Sequence, residues 1–174
     1  MKGVVNILGI DPSFSRTGLS FYDSQGKCTT KSITKAGLNY KIDTCLQHAA
    51  EEARELQNFI NSLDLEESIN VIYEYPVMAS RSGAYLAVLM AKFDSMLKSL
   101  GRKGLVKSII YVPPTAVPAY TGILKKNKTE IVNYAKTLEE ARFNHDEATA
   151  IILSKIGDDI LKGKYHKSYF KVEL

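Results

Sequence analysis

Three acidic residues lie in apolar surroundings, where soluble proteins seldom place acidic side chains. Asp11 ends the apolar run VVNILGID, Glu74 lies within the run VIYEYP, and Asp146 precedes a series of small and apolar residues. A carboxylate among buried neighbours costs several kcal/mol unless a cation or hydrogen bonds compensate it. If the three side chains met, they would form the oxygen-rich pocket that Mg²⁺ or Mn²⁺ prefers, and two such ions about 4 Å apart can promote phosphodiester hydrolysis.

Each acid also has an ordinary structural explanation. Asp11 precedes Pro12 and could be a turn residue, and Glu74 could be an edge-strand acid paired with a lysine. Asp146 could be the acid that commonly begins a helix, where the helix dipole favours negative charge. The combination of the three, rather than any one of them, favours a catalytic metal site.

The elements that position these acids follow from the spacing of apolar residues. The pattern predicts strands at residues 4–11, 17–23, 27–34, 69–75 and 108–112. It predicts helices at residues 43–63, 82–100, 129–138 and from 144 or 145 to about 161. A loop with Pro118 and Gly122 precedes the third helix. Short turns favour an antiparallel meander at the start, so the predicted fold is α/β: a mixed five-stranded sheet, three antiparallel strands then two parallel strands, flanked by helices.

The composition limits the organisation of the chain. With 174 residues, 45% of them hydrophobic, we expect a single domain over residues 1–174 with a basic tail at about 162–174. Cys28 and Cys45 follow no zinc or disulfide pattern, which favours a reducing, cytoplasmic setting. No apolar segment approaches the roughly 20 residues of a membrane span and no signal peptide is visible, so no membrane partner is expected.

Charge is distributed unevenly along the chain. The net charge is +4, but the charged residues of segment 43–67 are mostly acidic and those of segment 98–136 are mostly basic. This asymmetry suits one face turned to a polyanion and an acidic outer face of the first helix turned to water. Ordinary solvated surfaces would give the same pattern, so charge alone does not decide between them.

Four segments, in order, resemble motifs of the RuvC resolvases, which belong to the RNase H-like superfamily. ILGIDPSFSRTGLSFYD resembles the opening Ile-Gly-Ile-Asp-Pro with a later Thr-Gly, and VIYEYPVMASRSGAYLAVL resembles the strand-ending glutamate with its long helix. VPAYTGILKKNKTEIV is similar to the segment in which a glycine is followed six residues later by a lysine. HDEATAIIL resembles the last motif, an acid at the head of a helix rich in small residues. The set spans residues 7 to about 153.

The resemblance implies an RNase H-like fold, a homodimer, and cleavage of Holliday (four-way) junctions by paired symmetric nicks. It carries Asp11, Glu74 and Asp146 over as ligands of Mg²⁺ or Mn²⁺, with two ions per site. Lys128 matches the lysine near the scissile phosphate, where it would neutralise charge in the transition state. It could equally be a solvated lysine at a helix start. The small size and irregular motif spelling suggest a phage-type member, which would act in the host cytoplasm.

The last motif departs from the family pattern. A second acid usually follows the first after three residues, and that position is Thr149 here. Glu147 is the second choice as a metal ligand, because a register shifted by two residues would align it with the family's last acid and Asn144 with its first. Adjacent residues on a helix point about 100° apart, so Glu147 cannot simply substitute for Asp146.

DNA contacts are expected from residues near the predicted pocket. The phosphate-contact candidates are Arg81, Lys125, Lys126 and Lys128, because lysines without interleaved aromatics favour the backbone over the bases. Some family members carry an aromatic that stacks on junction bases where this chain has Val77. Tyr75 or Met78 could take that part, or either could belong to the core. The wide apolar face of helix 82–100 predicts the homodimer contact.

Three functions remain open from the sequence. The first is a Mg²⁺-dependent endonuclease that resolves four-way junctions as a dimer. The second is a RuvC-like nuclease that cuts other branched DNA, or RNA, without junction preference. The third is a non-catalytic DNA-binding relative or an actin-like phosphate-binding module. The chain is too short for a two-lobed ATPase, and the three acids count against a non-catalytic relative.

Overall fold

The computed structural model describes residues 5–13, 15–34, 42–75, 81–124, 127–165 and 170–173. In chain order the strands and helices are β1 (Ile7–Asp11), β2 (Arg16–Tyr22), β3 (Cys28–Thr34), α1 (Ile42–Ser62), β4 (Ile69–Glu74), α2 (Arg81–Arg102), β5 (Val106–Val112), α3 (Ala116–Thr121), α4 (Lys128–Leu138), α5 (His145–Leu161) and β6 (Phe170–Glu173). Within these ranges, no helix combines the length and apolar character that crossing a membrane requires.

The strands form one mixed sheet with the order β3-β2-β1-β4-β5-β6. β1, β2 and β3 make the predicted antiparallel meander, and β1, β4 and β5 are parallel neighbours. The predicted α/β class, a mixed sheet flanked by helices, is confirmed. The sheet is one strand wider than predicted, because Phe170–Glu173 in the expected basic tail pairs antiparallel with β5.

The two faces of the sheet bury separate hydrophobic clusters, because successive side chains of a strand point to opposite faces. Leu8 and Ile10 of β1 pack with α1 and α2 in one cluster, whereas Ile7 packs with α3, α4 and α5 in the other. α5 is the most enclosed helix, with a continuous buried run from Ala148 to Ser154, and it lies across β1 and β2. The position of α5 therefore decides where its first turn lies relative to the strand ends.

Three helical details differ from the sequence prediction. The predicted loop around Pro118 contains the short helix α3, with the proline in the first turn, where the missing N–H removes no helical hydrogen bond. α1 turns Glu52 into the core with 1% of its surface exposed, although an acidic outer face is predicted. In α2, Tyr85, Met90 and Leu97 are buried within the chain, so its apolar surplus is largely used by the chain's own core.

Candidate active site

A pocket of about 500 Å³ opens where β1 and β4 end and α5 begins. All three predicted acids line it: Asp11, Glu74 and Asp146. β1 and β4 are parallel neighbours in which Ile10 pairs with Tyr73, so the acid that follows each of them lies at the same edge of the sheet. Asp11 is buried, and Glu74 and Asp146 are half-buried. The fold thus brings together carboxylates from three separate elements.

Two glycines allow α5 to approach the strands closely enough to bring Asp146 to this edge. Gly18 pairs with Asp11 across the β1–β2 ladder, and a Cβ at Gly18 would lie 2.1 Å from the carbonyl oxygen of Asp146. A Cβ at Gly9 would lie 2.2 Å from the carbonyl oxygen of Ala150, further along α5. Real Cβ atoms do not approach backbone so closely, so these positions require glycine for contact with the helix.

The cap of α5 separates the two possible registers of the last motif. Asn144 is the N-cap, and its side-chain oxygen accepts hydrogen bonds from the backbone N–H groups of Asp146 and Glu147 at 2.9 and 3.0 Å. The Glu147 carboxylate accepts from the Asn144 N–H at 3.0 Å and from the Ser32 hydroxyl at 2.9 Å. Glu147 is therefore committed to a capping box and to β3, while Asp146 lines the pocket.

Thr149, which stands at the usual position of a fourth acid, is fully buried and donates its hydroxyl hydrogen bond to the carbonyl of His145. His145 lines the pocket and was not identified from the sequence. Its Nδ1 lies 3.4 Å from Oδ1 of Asp146, and its Nε2 is buried with no hydrogen-bond partner among the described residues. An imidazole therefore stands beside Asp146, and a histidine directly before the predicted acid was the available signal.

Basic side chains also reach the pocket. Lys128, the first residue of α4, is exposed and lines the pocket. Arg16 lines it as well, with its Nε 3.9 Å from Oδ2 of Asp146, and was not singled out from the sequence. Ser13 closes the loop that carries this arginine, since its hydroxyl accepts from the Arg16 N–H at 3.1 Å and donates to the Arg16 carbonyl at 2.7 Å.

The other predicted DNA contacts are only partly located. Lys125, Lys126 and Met78 lie outside the described residues, and Arg81 begins α2 but its side chain also lies outside them. Tyr75 directly follows Glu74, is 54% exposed, and makes an edge-to-face contact with Tyr111 at 6.1 Å between ring centroids. It does not line the pocket.

A half-buried acid on α2, Asp94, contacts the strand that carries Glu74. Asp94 accepts hydrogen bonds from the hydroxyls of Tyr73 and Tyr111, the latter at 2.7 Å. Burial, and next the hydrogen bond to Asp94, raise the pKa of both phenols well above the ordinary value of 10.0. Both tyrosines therefore remain protonated donors, and the ends of β4 and β5 are fixed to α2.

The donor chemistry of the pocket suits a hard divalent cation. Carboxylates are preferred ligands of Mg²⁺ and Mn²⁺. Three carboxylates line this one pocket together with positive side chains. Within the described ranges, no three His, Cys, Asp or Glu side chains stand close enough to enclose a single ion. Such cations usually keep several waters, and paired ions share their protein ligands, so the residues fit a site completed by water and by substrate oxygens.

Comparison with solved structures was consistent with this architecture. Thermus thermophilus RuvC in complex with a Holliday junction substrate matches with a TM-score of 0.60 at 13% identity, over 92% of this chain and 97% of that one. A second T. thermophilus RuvC structure matches with a TM-score of 0.60 at 12% identity, over 92% of this chain and 98% of that one. The yeast mitochondrial Holliday junction resolvase matches with a TM-score of 0.53 at 10% identity, over 94% of this chain and 85% of that one. The sequence matches no protein-family model and no curated protein.

These matches give the chain the RNase H-like α/β fold. The chain thus shares its fold with the two RuvC structures and with the yeast protein.

Proposed function

We propose that the chain is a metal-dependent endonuclease that resolves four-way DNA junctions. One observation carries the proposal: in a chain with the RuvC architecture, Asp11, Glu74 and Asp146 line the same pocket although they lie far apart in sequence. The T. thermophilus relative is described in complex with a Holliday junction substrate, which favours branched DNA as the substrate here.

The pocket residues have complementary tasks in phosphodiester hydrolysis. Asp11, Glu74 and Asp146 would hold Mg²⁺ or Mn²⁺, and a divalent cation bound there supplies Lewis-acid chemistry. Lys128 and Arg16 bring positive charge to the same pocket, where they are suited to bind the scissile phosphate and to stabilise the charge that develops on it. DNA would then be held mainly through its backbone, which is consistent with cleavage directed by shape.

Junction selectivity would come from a homodimer, because two pockets at a fixed separation can nick two strands symmetrically. The proposed contact is the outer side of α2, where Val88 and Met96 are only partly buried against the core. The buried residues of the same helix are not available to a partner, so the contact would be smaller than the sequence pattern predicts.

The test is a cleavage assay with Mg²⁺ or Mn²⁺ on four labelled substrates: a four-way junction, a Y-fork, a duplex and an RNA–DNA hybrid. Paired symmetric nicks confined to the four-way junction are expected. Asp11→Asn and Asp146→Asn should each slow cleavage by about 100-fold or more, the scale of losing a group that stabilises the transition state. Asp64→Asn is the matched control, because Asp64 is exposed and lies before β4, at the strand end opposite Glu74.

Each alternative outcome has a distinct meaning. Equal cutting of all branched substrates would replace the junction resolvase with a general branch nuclease. Metal-independent binding of junctions without cutting would instead indicate a DNA-binding relative. If Asp64→Asn lost as much cleavage as Asp11→Asn, the pocket would no longer be supported as the active site.

A further inference from the structure

A buried carboxylate lies behind the pocket, on the sheet face that α1 and α2 cover. Glu52 of α1 is 1% exposed, and its neighbours on the same helix face, Ala49 and Leu56, are fully buried. An ionised carboxylate taken out of water costs several kcal/mol unless it is paired or hydrogen-bonded, and an apolar side chain would avoid that cost. A buried glutamate at this position therefore calls for a specific set of partners.

Two buried hydroxyl groups supply those partners from different elements. Thr17 of β2 donates to Oε2 of Glu52 at 2.9 Å, and Tyr85 of α2 donates to Oε1 at 2.7 Å. Both partners are buried, and burial followed by this hydrogen bond raises the pKa of Tyr85 above its ordinary value, so the phenol keeps its proton. In both hydrogen bonds the hydroxyl is the donor and a carboxylate oxygen of Glu52 is the acceptor.

Both hydroxyl residues are adjacent in sequence to walls of the pocket. Thr17 follows Arg16 directly, and its hydroxyl oxygen lies 3.5 Å from the backbone nitrogen of Ser13; Arg16 and Ser13 both line the pocket. Tyr85 precedes Leu86, which lines the pocket from α2. One carboxylate thus joins the start of β2 to the first turns of α2.

We infer that Glu52 is a positioning residue, which acts through Thr17 and Tyr85 to hold Ser13 and Arg16 at a fixed separation from the start of α2. The inference rests on the proposed nuclease function, because the separation that it fixes is the width of the proposed active site. Its effect would be on the placement of Arg16 and of the chain that follows Asp11, with no direct contact to substrate.

The test compares Glu52→Gln with Ser108→Ala. Ser108 is equally buried and donates to Asn70 at 2.7 Å, but it lies near the start of β5, away from the pocket. For Glu52→Gln we expect kcat on the four-way junction to fall about 10-fold to 100-fold with KM unchanged, the effect of moving a catalytic group by up to about 1 Å. Ser108→Ala should be destabilised in urea while the folded protein keeps its kcat.

A second readout needs neither metal nor DNA. Amide hydrogen exchange at residues 13 and 15–17 should become faster in Glu52→Gln and stay unchanged in Ser108→Ala. If Glu52→Gln does not fold, Tyr85→Phe should give faster exchange around Leu86 in its place. Unchanged exchange in these segments, or a kcat equal to that of Ser108→Ala, overturns the inference. A wild-type protein that cuts no branched DNA refutes the proposed function, and the exchange comparison then still decides whether Glu52 fixes the loop.

Discussion

Replacing Gly18 with alanine should separate Asp146 from Asp11 without removing either acid. The added Cβ would lie 2.1 Å from the carbonyl oxygen of Asp146, whereas ordinary contact begins at 3.4 Å. The opposing atoms are backbone, so α5 or β2 must move by about 1.3 Å, the difference between these two distances. A displacement of about 1 Å can slow a reaction about 100-fold, and overpacking costs about 1–3 kcal/mol of stability. We therefore expect a folded protein with about 100-fold slower cleavage.

Single-turnover cleavage of a labelled four-way junction measures this effect, and urea unfolding measures the accompanying loss of stability. Gly157→Ala is the control, because Gly157 lies on the same helix further from Asp146 and the three atoms nearest to its Cβ would be side-chain carbons of Ile72, at 3.1 to 3.4 Å. It should cleave at close to the wild-type rate. If folded Gly18→Ala cleaves as fast as the wild type, close approach of α5 does not set the geometry of the site.

Two further predictions concern the cap of α5 and the buried phenol of Tyr73. Glu147→Gln should retain cleavage in the junction assay, because a glutamine can still serve the capping box, whereas Asp146→Asn should lose cleavage. Equal loss in both variants would contradict the assignment of Asp146, rather than Glu147, as the metal ligand. Stability should fall as the pH rises above about 10, because the fold raises the pKa of Tyr73, first by burial and then through Asp94, while the unfolded chain releases this proton near 10.0. Urea unfolding across that pH range should show a smaller fall for Tyr73→Phe, and an identical fall in both proteins would refute the argument.

The sheet and two of the acids could be predicted because their signals are local. Asp11 and Glu74 each end an apolar strand, and parallel neighbouring strands end at the same edge of a sheet. The start of α5 was equally visible, since Asn144 with Glu147 three residues later is a capping-box pattern. The sequence favoured Asp146 over Glu147 as a metal ligand, and the contacts of Glu147 with the cap and with Ser32 are seen only in the folded chain.

The remaining features depend on contacts between distant segments. Glu52 resembles the other acids of α1 in sequence, and only the positions of Thr17 and Tyr85 make it a buried acceptor. β6 is four residues long and is a strand because it pairs with β5, so the spacing of its apolar residues does not predict it. Arg16 begins β2, and its backbone is held by two hydrogen bonds to the Ser13 hydroxyl, which composition does not reveal.

The dependence of the pocket on α5 affects the order in which the chain acquires a complete site during synthesis. Asp11 and Glu74 leave the ribosome well before Asp146, which comes late in the sequence. α5 docks on strands made from the first part of the chain, and contacts of such large sequence separation form late in folding. A nascent chain therefore exposes at most two of the three acids, and the proposed DNA-cutting activity would arise only after translation of α5, when the finished helix closes the pocket.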